Sequence, residues 1–271
     1  MNYRHSFHAG NFADLLKHAL VLWLVKTRRE TGPLTVFDTH AGAGLYDLSG
    51  DGMRSKEAEV GVARLMTAEG RPPLMDALAA EVAAINPDGG VRFYPGSPLL
   101  IADALNDGGC YVGFELNPPV RAMLDEALAG RSNAEAREGD GYAAVVEEAA
   151  KVRGPFVLID PPFEKPDDYV RSAETAIAVV RRDPTATVAI WTPLKDLETF
   201  DGFIRRLQGK AGPTLVAEAR LRPLTNPMKM NGCALVVVNP PTGCEAAANE
   251  ICGWVAGALG EAGGKAEVWT F

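Results

Sequence analysis

Cysteine is scarce and unpatterned: Cys110, Cys233, Cys244 and Cys252 are the only four in 271 residues, and no CxxC spacing occurs. That excludes zinc-ribbon and thiol–disulfide motifs and leaves reduced, partly buried thiols as the expectation. Histidine is missing after residue 40, because all four, His5, His8, His18 and His40, crowd the start. No carboxylate or cysteine accompanies them at zinc-ligand spacing, so no metal is expected. A basic excess is lacking too. With 27 Lys and Arg against 35 Asp and Glu, the net charge of −8 argues against a protein that coats nucleic acid through bulk electrostatics. Positive charge gathers only locally, at Arg4, Lys17, Lys26, Arg28 and Arg29 and again at Arg220, Arg222 and Lys229, either as a basic mouth or as solvated faces. No apolar run approaches the ~20 residues of a bilayer span, and the start, Met-Asn-Tyr-Arg-His, carries no signal-peptide pattern, so a cytoplasmic location is expected. Repeats, low-complexity tracts and long linkers are absent as well, which disfavours tandem domains, and no coiled coil or apolar seam demands a dimer.

What is present is an alternation of apolar, β-branched runs with helical stretches. The runs are Leu34 to Thr39, Tyr111 to Leu116, Ala134 to Gly139, Phe156 to Ile159, Ala186 to Trp191, Leu215 to Leu221 and Ala234 to Val238. This is the βαβ signature, and continuously apolar strands imply a mostly parallel, seven-stranded sheet covered on both faces. Asn11 is placed to cap a helix running to Arg29, whose cationic last turn suits the helix dipole. The stretch from Leu48 to Arg92 is too long for one crossover helix. It reads helical over Lys56 to Met66 and Leu74 to Ile85, with breaks at Arg71-Pro72-Pro73 and Asn86-Pro87-Asp88-Gly89-Gly90. The expected division is therefore a main α/β domain over 1–48 and 93–271, opened by an N-terminal motif and helix over 1–30, with an inserted helical subdomain over 49–92.

Ligands of open α/β sheets bind along the carboxyl edge of the strands. The first strand ends in Asp38-Thr39-His40-Ala41-Gly42-Ala43-Gly44, a small-residue turn. The second ends in Glu115, a carboxylate suited to two ribose hydroxyls, and the third in Gly139-Asp140-Gly141, suited to an adenine amino edge. The fourth delivers Asp160-Pro161-Pro162-Phe163. That tetrapeptide suits methylation of an exocyclic amine on a nucleic-acid base. Such an amine is a weak nucleophile, so its hydrogens must be accepted and its ring held flat. Asp160 and the Pro161 carbonyl supply acceptors, the prolines stiffen the loop, and Phe163 offers a stacking face. The order of glycine turn, Glu, Asp and Asp-Pro-Pro-aromatic favours a Rossmann-like class I S-adenosylmethionine-dependent methyltransferase over a dehydrogenase.

The chain resembles the RlmJ-type 23S ribosomal RNA adenine-N6 methyltransferases. The resemblance rests on Tyr3-Arg4-His5-Ser6-Phe7-His8-Ala9-Gly10-Asn11, Ala13-Asp14, Leu16-Lys17-His18, Asp38 through Gly44, Tyr94-Pro95-Gly96-Ser97-Pro98, Glu115, Asp140-Gly141 and Asp160-Pro161-Pro162. It implies that His18, His40, Ser97, Glu115, Asp140, Gly141 and Asp160 line an S-adenosylmethionine pocket and that Asp160 is the catalytic acceptor, assisted by Pro161 and Phe163. It further implies that Tyr3 contacts 23S rRNA and that His5 and Lys17 belong to a mobile N-terminal segment closing over cofactor and base. One departure stands out. Phe163 occupies a place where tyrosine is common in that family, which keeps a stacking surface and removes a hydroxyl. Guanine-N2 methylation of rRNA is the alternative within the same chemistry; a nicotinamide oxidoreductase gripping a ribose through Glu115, or a noncatalytic RNA-binding module, are the alternatives outside it.

Overall fold

Neighbouring residues of the first strand face opposite cores. Val36 packs in one apolar cluster with Tyr111, Leu158 and Leu215, whereas Phe37 packs in a second with Val112, Val157 and Ile159. Strands apolar at every position therefore find burial on both faces of one sheet. The computed structural model describes residues 8–49, 56–225 and 230–271. In chain order its strands are β1 (Leu34–Asp38), β2 (Leu45–Asp47), β3 (Phe93–Pro95), β4 (Gly109–Glu115), β5 (Ala134–Glu138), β6 (Phe156–Ile159), β7 (Thr187–Leu194), β8 (Thr214–Arg220), β9 (Gly232–Val238) and β10 (Lys265–Thr270).

The main sheet runs β10-β8-β9-β7-β6-β1-β4-β5. Pairing is parallel from β5 through β7 and antiparallel from β7 onward through β9, β8 and β10. This is the Rossmann-like class I methyltransferase architecture, with eight strands where the sequence predicts seven. The additional strand is β10, which pairs with β8 from Lys265↔Arg220 to Thr270↔Leu215. Its residues are all exposed or half-buried, so it has no continuous apolar run to reveal it. Strands β2 and β3 form a separate small antiparallel pair.

Helix α1 (Phe12–Arg29) begins where its cap predicts: the Asn11 side-chain oxygen accepts from the amides of Ala13 at 2.9 Å and Asp14 at 3.0 Å. Almost every position of α1 up to Val25 is buried, because it is sandwiched between the sheet and the helices Pro73–Ala84, Ser97–Leu105 and Cys244–Leu259. The segment between β2 and β3 carries the helices Glu57–Val60, Val62–Thr67 and Pro73–Ala84. Val62, Leu65, Met75, Leu78 and Val82 from this segment join the same apolar cluster as α1. Gly61 interrupts what reads as one helix. The Val62 amide donates to the Gly10 carbonyl at 2.8 Å, and a Cβ at position 61 would stand 2.1 Å from that oxygen. Close backbone approach sets the break, and it fastens the insertion to the residues that open α1.

The cations at the end of α1 are held within the fold. Arg28 donates to the carbonyls of Gly154 at 2.8 Å and Thr185 at 3.4 Å, and Arg29 to that of Gly108 at 2.6 Å. Those carbonyls precede β6, β7 and β4, so these cations bind the amino edge of the sheet, opposite the edge that carries Glu115 and Asp160. Lys26 pairs with Glu81, Arg220 with Glu218 and Arg222 with Glu261. Lys229 and Arg4 lie outside the described residues. Among the described residues no helix is long and apolar enough to cross a membrane.

Candidate active site

The end of β6 delivers Asp160-Pro161-Pro162 to a cavity of about 330 Å³ at the carboxyl edge of the sheet. The opening turns of α1 deliver Asp14, Lys17 and His18 to the same cavity, and the β1 turn adds His40 and Ala41. Gly96 and Ser97 enter from the start of the helix Ser97–Leu105, and Trp191, Pro193 and Lys195 from the end of β7. His8 and Glu57 complete part of the rim, with His8 Nδ1 3.0 Å from a Glu57 carboxylate oxygen.

Lys17 is the electrostatic hub. Its Nζ lies 2.6 Å from Asp160 Oδ2 and 2.8 Å from Asp14 Oδ1. Burial works to strip the Lys17 proton, but the two carboxylates hold its pKa well above the ordinary lysine value. Burial likewise pushes the Asp160 carboxyl up, and although Lys17 opposes this, the net direction is upward. Asp14 is half-buried and loses solvation as well, yet Lys17 and the Gly10 amide, which donates to its Oδ2 at 2.9 Å, draw it down to about 2. Lys17 thus sits buried in the second turn of the capped helix that the sequence places there. Tyr3 and His5 lie outside the described residues.

His18 faces away from charge chemistry. Its Nδ1 and the Tyr94 hydroxyl share a hydrogen bond at 2.8 Å, and burial lowers its pKa to about 3. The unfolded chain binds that proton near 6.5 and the folded chain only near 3, so acidification between those values favours unfolding. At about 1.4 kcal/mol per pH unit this amounts to several kcal/mol. Urea midpoints are expected to fall as pH drops from 6.5 toward 4, and His18→Asn should flatten that decline; an unchanged slope in the variant would show that His18 is not the group responsible.

At the neighbouring strand ends, the Glu115 carboxylate accepts from the Gly42 amide at 3.1 Å and the Asn117 amide at 2.8 Å. Asp140 caps the helix Gly141–Ala149 by accepting from the Tyr142 amide at 3.2 Å. Arg171 hydrogen-bonds the other Asp140 oxygen and lies over the Tyr142 ring, its guanidinium carbon 4.3 Å from the centroid. Gly141 admits no side chain: a Cβ there would stand 2.0 Å from the Thr39 carbonyl oxygen. The β1 turn and this helix start are thereby held together, with the His40 ring set edge-on to Tyr142 at 4.7 Å. The fold therefore gathers Lys17, His18, His40, Ser97, Asp160 and Pro161 around the cavity and sets Glu115, Asp140 and Gly141 along the same edge beside it.

Phe163 is placed differently. Its backbone is in the left-handed region at φ 50°, unusual for a bulky residue. Its ring packs on Tyr169 at 4.5 Å and Trp191 at 5.8 Å, so it stands behind the cavity wall while Trp191 forms it. Trp191 escaped the sequence reading, its only signal being an aromatic at the end of an apolar run. Asp38 is named there only as the start of the glycine turn, with no role of its own. Fully buried, it accepts from Ser97 Oγ at 2.9 Å, Tyr111 OH at 3.2 Å and the His40 amide at 3.2 Å, and burial raises its pKa to about 6 although the Ser97 hydrogen bond pulls the other way. Asp14 is likewise given no role there, since a first-turn acid on a helix is ordinary. Among the described residues no cluster of His, Cys, Asp and Glu could hold a metal.

Comparison with known proteins matches residues 31–271 to the family described as Ribosomal RNA large subunit methyltransferase D, RlmJ. Ribosomal RNA large subunit methyltransferase J of Escherichia coli (strain K12) is 31% identical over 267 residues, 97% of this chain and 95% of that protein. The protein of the same name from Haemophilus influenzae is 31% identical over 256 residues, 93% of this chain and 91% of that one. A crystal structure of a Legionella pneumophila protein superposes with a TM-score of 0.87 at 22% identity, covering 97% of this chain and 98% of that one.

Proposed function

Given that the chain belongs to the RlmJ family of ribosomal RNA large subunit methyltransferases, we propose that it methylates the N6 amine of a specific adenosine in 23S rRNA in the cytoplasm. S-adenosylmethionine is the donor in this reading. The observation that carries it is the seating of Asp160 and Pro161 in the wall of a cavity that also holds Trp191, His40 and Ser97.

The strand edge fits the donor. Glu115 offers a carboxylate beside the Gly42 amide for two ribose hydroxyls, and Asp140, steadied by Arg171, suits an adenine amino edge. Gly141, where a side chain would strike Thr39, keeps the turn and the helix start close enough to form one continuous cradle. When bound, S-adenosylmethionine supplies an electrophilic methyl on a cationic sulfur. The target base must first leave its stack, at a cost of a few kcal/mol. Trp191, backed by Phe163, gives it an aromatic surface, and Pro161 and Pro162 limit the water around it. Asp160 and the Pro161 carbonyl accept the amine's two N–H groups, which aims the nitrogen lone pair; positioning and electrostatics do most of the work. A carboxyl raised by burial also suits the proton that the methylated amine sheds.

Residues 49–92 serve in this reading as an inserted helical subdomain on a main domain of 1–48 and 93–271. Together with the N-terminal segment, including Tyr3 and His5, it reads RNA shape and 2′-hydroxyls around the target. Incubating the protein with unmodified 23S rRNA and tritiated donor, then digesting to nucleosides for mass spectrometry, is expected to yield N6-methyladenosine at one position. N2-methylguanosine would reassign the base, and no labelled nucleoside would end the proposal.

A further inference from the structure

Resting on the methyltransferase reading, we propose that Asp14 is a positioning residue for the reaction: it divides the Lys17 ammonium between two carboxylates and so keeps Asp160 an open acceptor for the target amine. The geometry is a carboxylate–ammonium–carboxylate row in which a buried Lys17 joins two half-buried carboxylates, its Nζ 2.8 Å from Asp14 and 2.6 Å from Asp160. Three charged groups give that row a net charge of −1. Without Asp14, the ammonium has a single partner and the row becomes neutral. Lys17 then settles fully on Asp160, occupies its lone pairs and weakens it as an acceptor for N–H bonds.

One further contact holds Asp14 in that role, and two more brace the residues around it. Its second oxygen accepts from the Gly10 amide at 2.9 Å, which fixes the side chain's orientation. The Gly10 carbonyl in turn accepts from Val62, and Glu57 accepts from the Asn11 side chain at 3.0 Å. Asp14 is therefore braced by the insertion from one side and by the opening of α1 from the other. Asp14 and Lys17 are one helical turn apart, so their pairing survives any movement of Asp160. The upward direction of the Asp160 carboxyl agrees, since the Asp14 charge contributes to it.

An ordinary first-turn acid would serve only to stabilise the helix and pin Gly10, and the test separates the two roles. Asp14→Asn keeps an oxygen for the Gly10 amide and removes the charge. With unmodified 23S rRNA, kcat is expected to fall at least about tenfold while KM for S-adenosylmethionine stays near wild type; the urea midpoint falls modestly, because the charge that Lys17 holds on Asp14 is lost, and the protein remains folded under assay conditions. The same substitution made in Lys17→Met should produce no further fall, because Asp14 acts through Lys17. Wild-type kcat in Asp14→Asn would overturn the assignment, and so would an equal, additive fall in the Lys17→Met background. Wild-type protein is the control in each assay: if it transfers no methyl to the RNA, the methyltransferase reading fails; if it does, only the role of Asp14 is at stake.

Discussion

Asp160→Ala is expected to lower methyl transfer to rRNA by about 10³-fold or more, with the dissociation constant for S-adenosylhomocysteine changed less than about threefold. The size follows from what the side chain does. An exocyclic amine has its lone pair delocalised into the ring, and losing the carboxylate removes both the acceptor that redirects it and the sink for the departing proton. The variant should remain folded. Lys17, left without Asp160, keeps Asp14 at 2.8 Å, so no buried charge is stranded. Single-turnover rates with labelled donor, beside calorimetric titration with S-adenosylhomocysteine, separate chemistry from binding. Turnover near wild type would remove Asp160 from the mechanism, and an equal collapse of cofactor binding would move it into the cofactor site.

Glu115→Ala is expected to do the reverse, weakening S-adenosylhomocysteine binding by about 10²-fold or more while RNA binding is unaffected. A hydrogen bond to a charged group contributes roughly 1.5–3 kcal/mol, and a carboxylate accepting from two ribose hydroxyls makes two of them. The same side chain accepts from the Gly42 amide at 3.1 Å, so alanine also releases the glycine turn that borders the cofactor. Glu115→Gln retains shape and one acceptor and should fall between the two. Calorimetry settles it, and a dissociation constant within about threefold of wild type for the alanine variant would show that the ribose is held elsewhere.

Much of this site is legible in the chain because its signals are local. A strand end is marked by where an apolar run stops, so Glu115, Asp140 and Asp160 announce themselves as acids at that boundary. The Asn11 cap and the cationic last turn likewise depend on residues a few positions apart. These patterns specify the alternating βαβ order and, with it, the edge on which Glu115, Asp140 and Asp160 stand. The resemblance to known sequences added His18, His40, Ser97 and Lys17, which no spacing rule selects.

Tertiary structure alone decided the rest, because each remaining feature joins residues far apart in sequence. Lys17 meets Asp160 across 143 positions, a contact fixed by how α1 lies on the sheet. The direction of α1 also carries Arg28 and Arg29 to the opposite edge, where they bind the carbonyls of Gly154 and Gly108. Trp191 takes the cavity wall only because β7 lies beside β6, and β10 becomes a strand only because β8 offers an edge to its half-exposed residues. Periodicity and caps report what a segment becomes; which charges end up sharing a counter-ion or a cavity depends on packing that no local pattern contains.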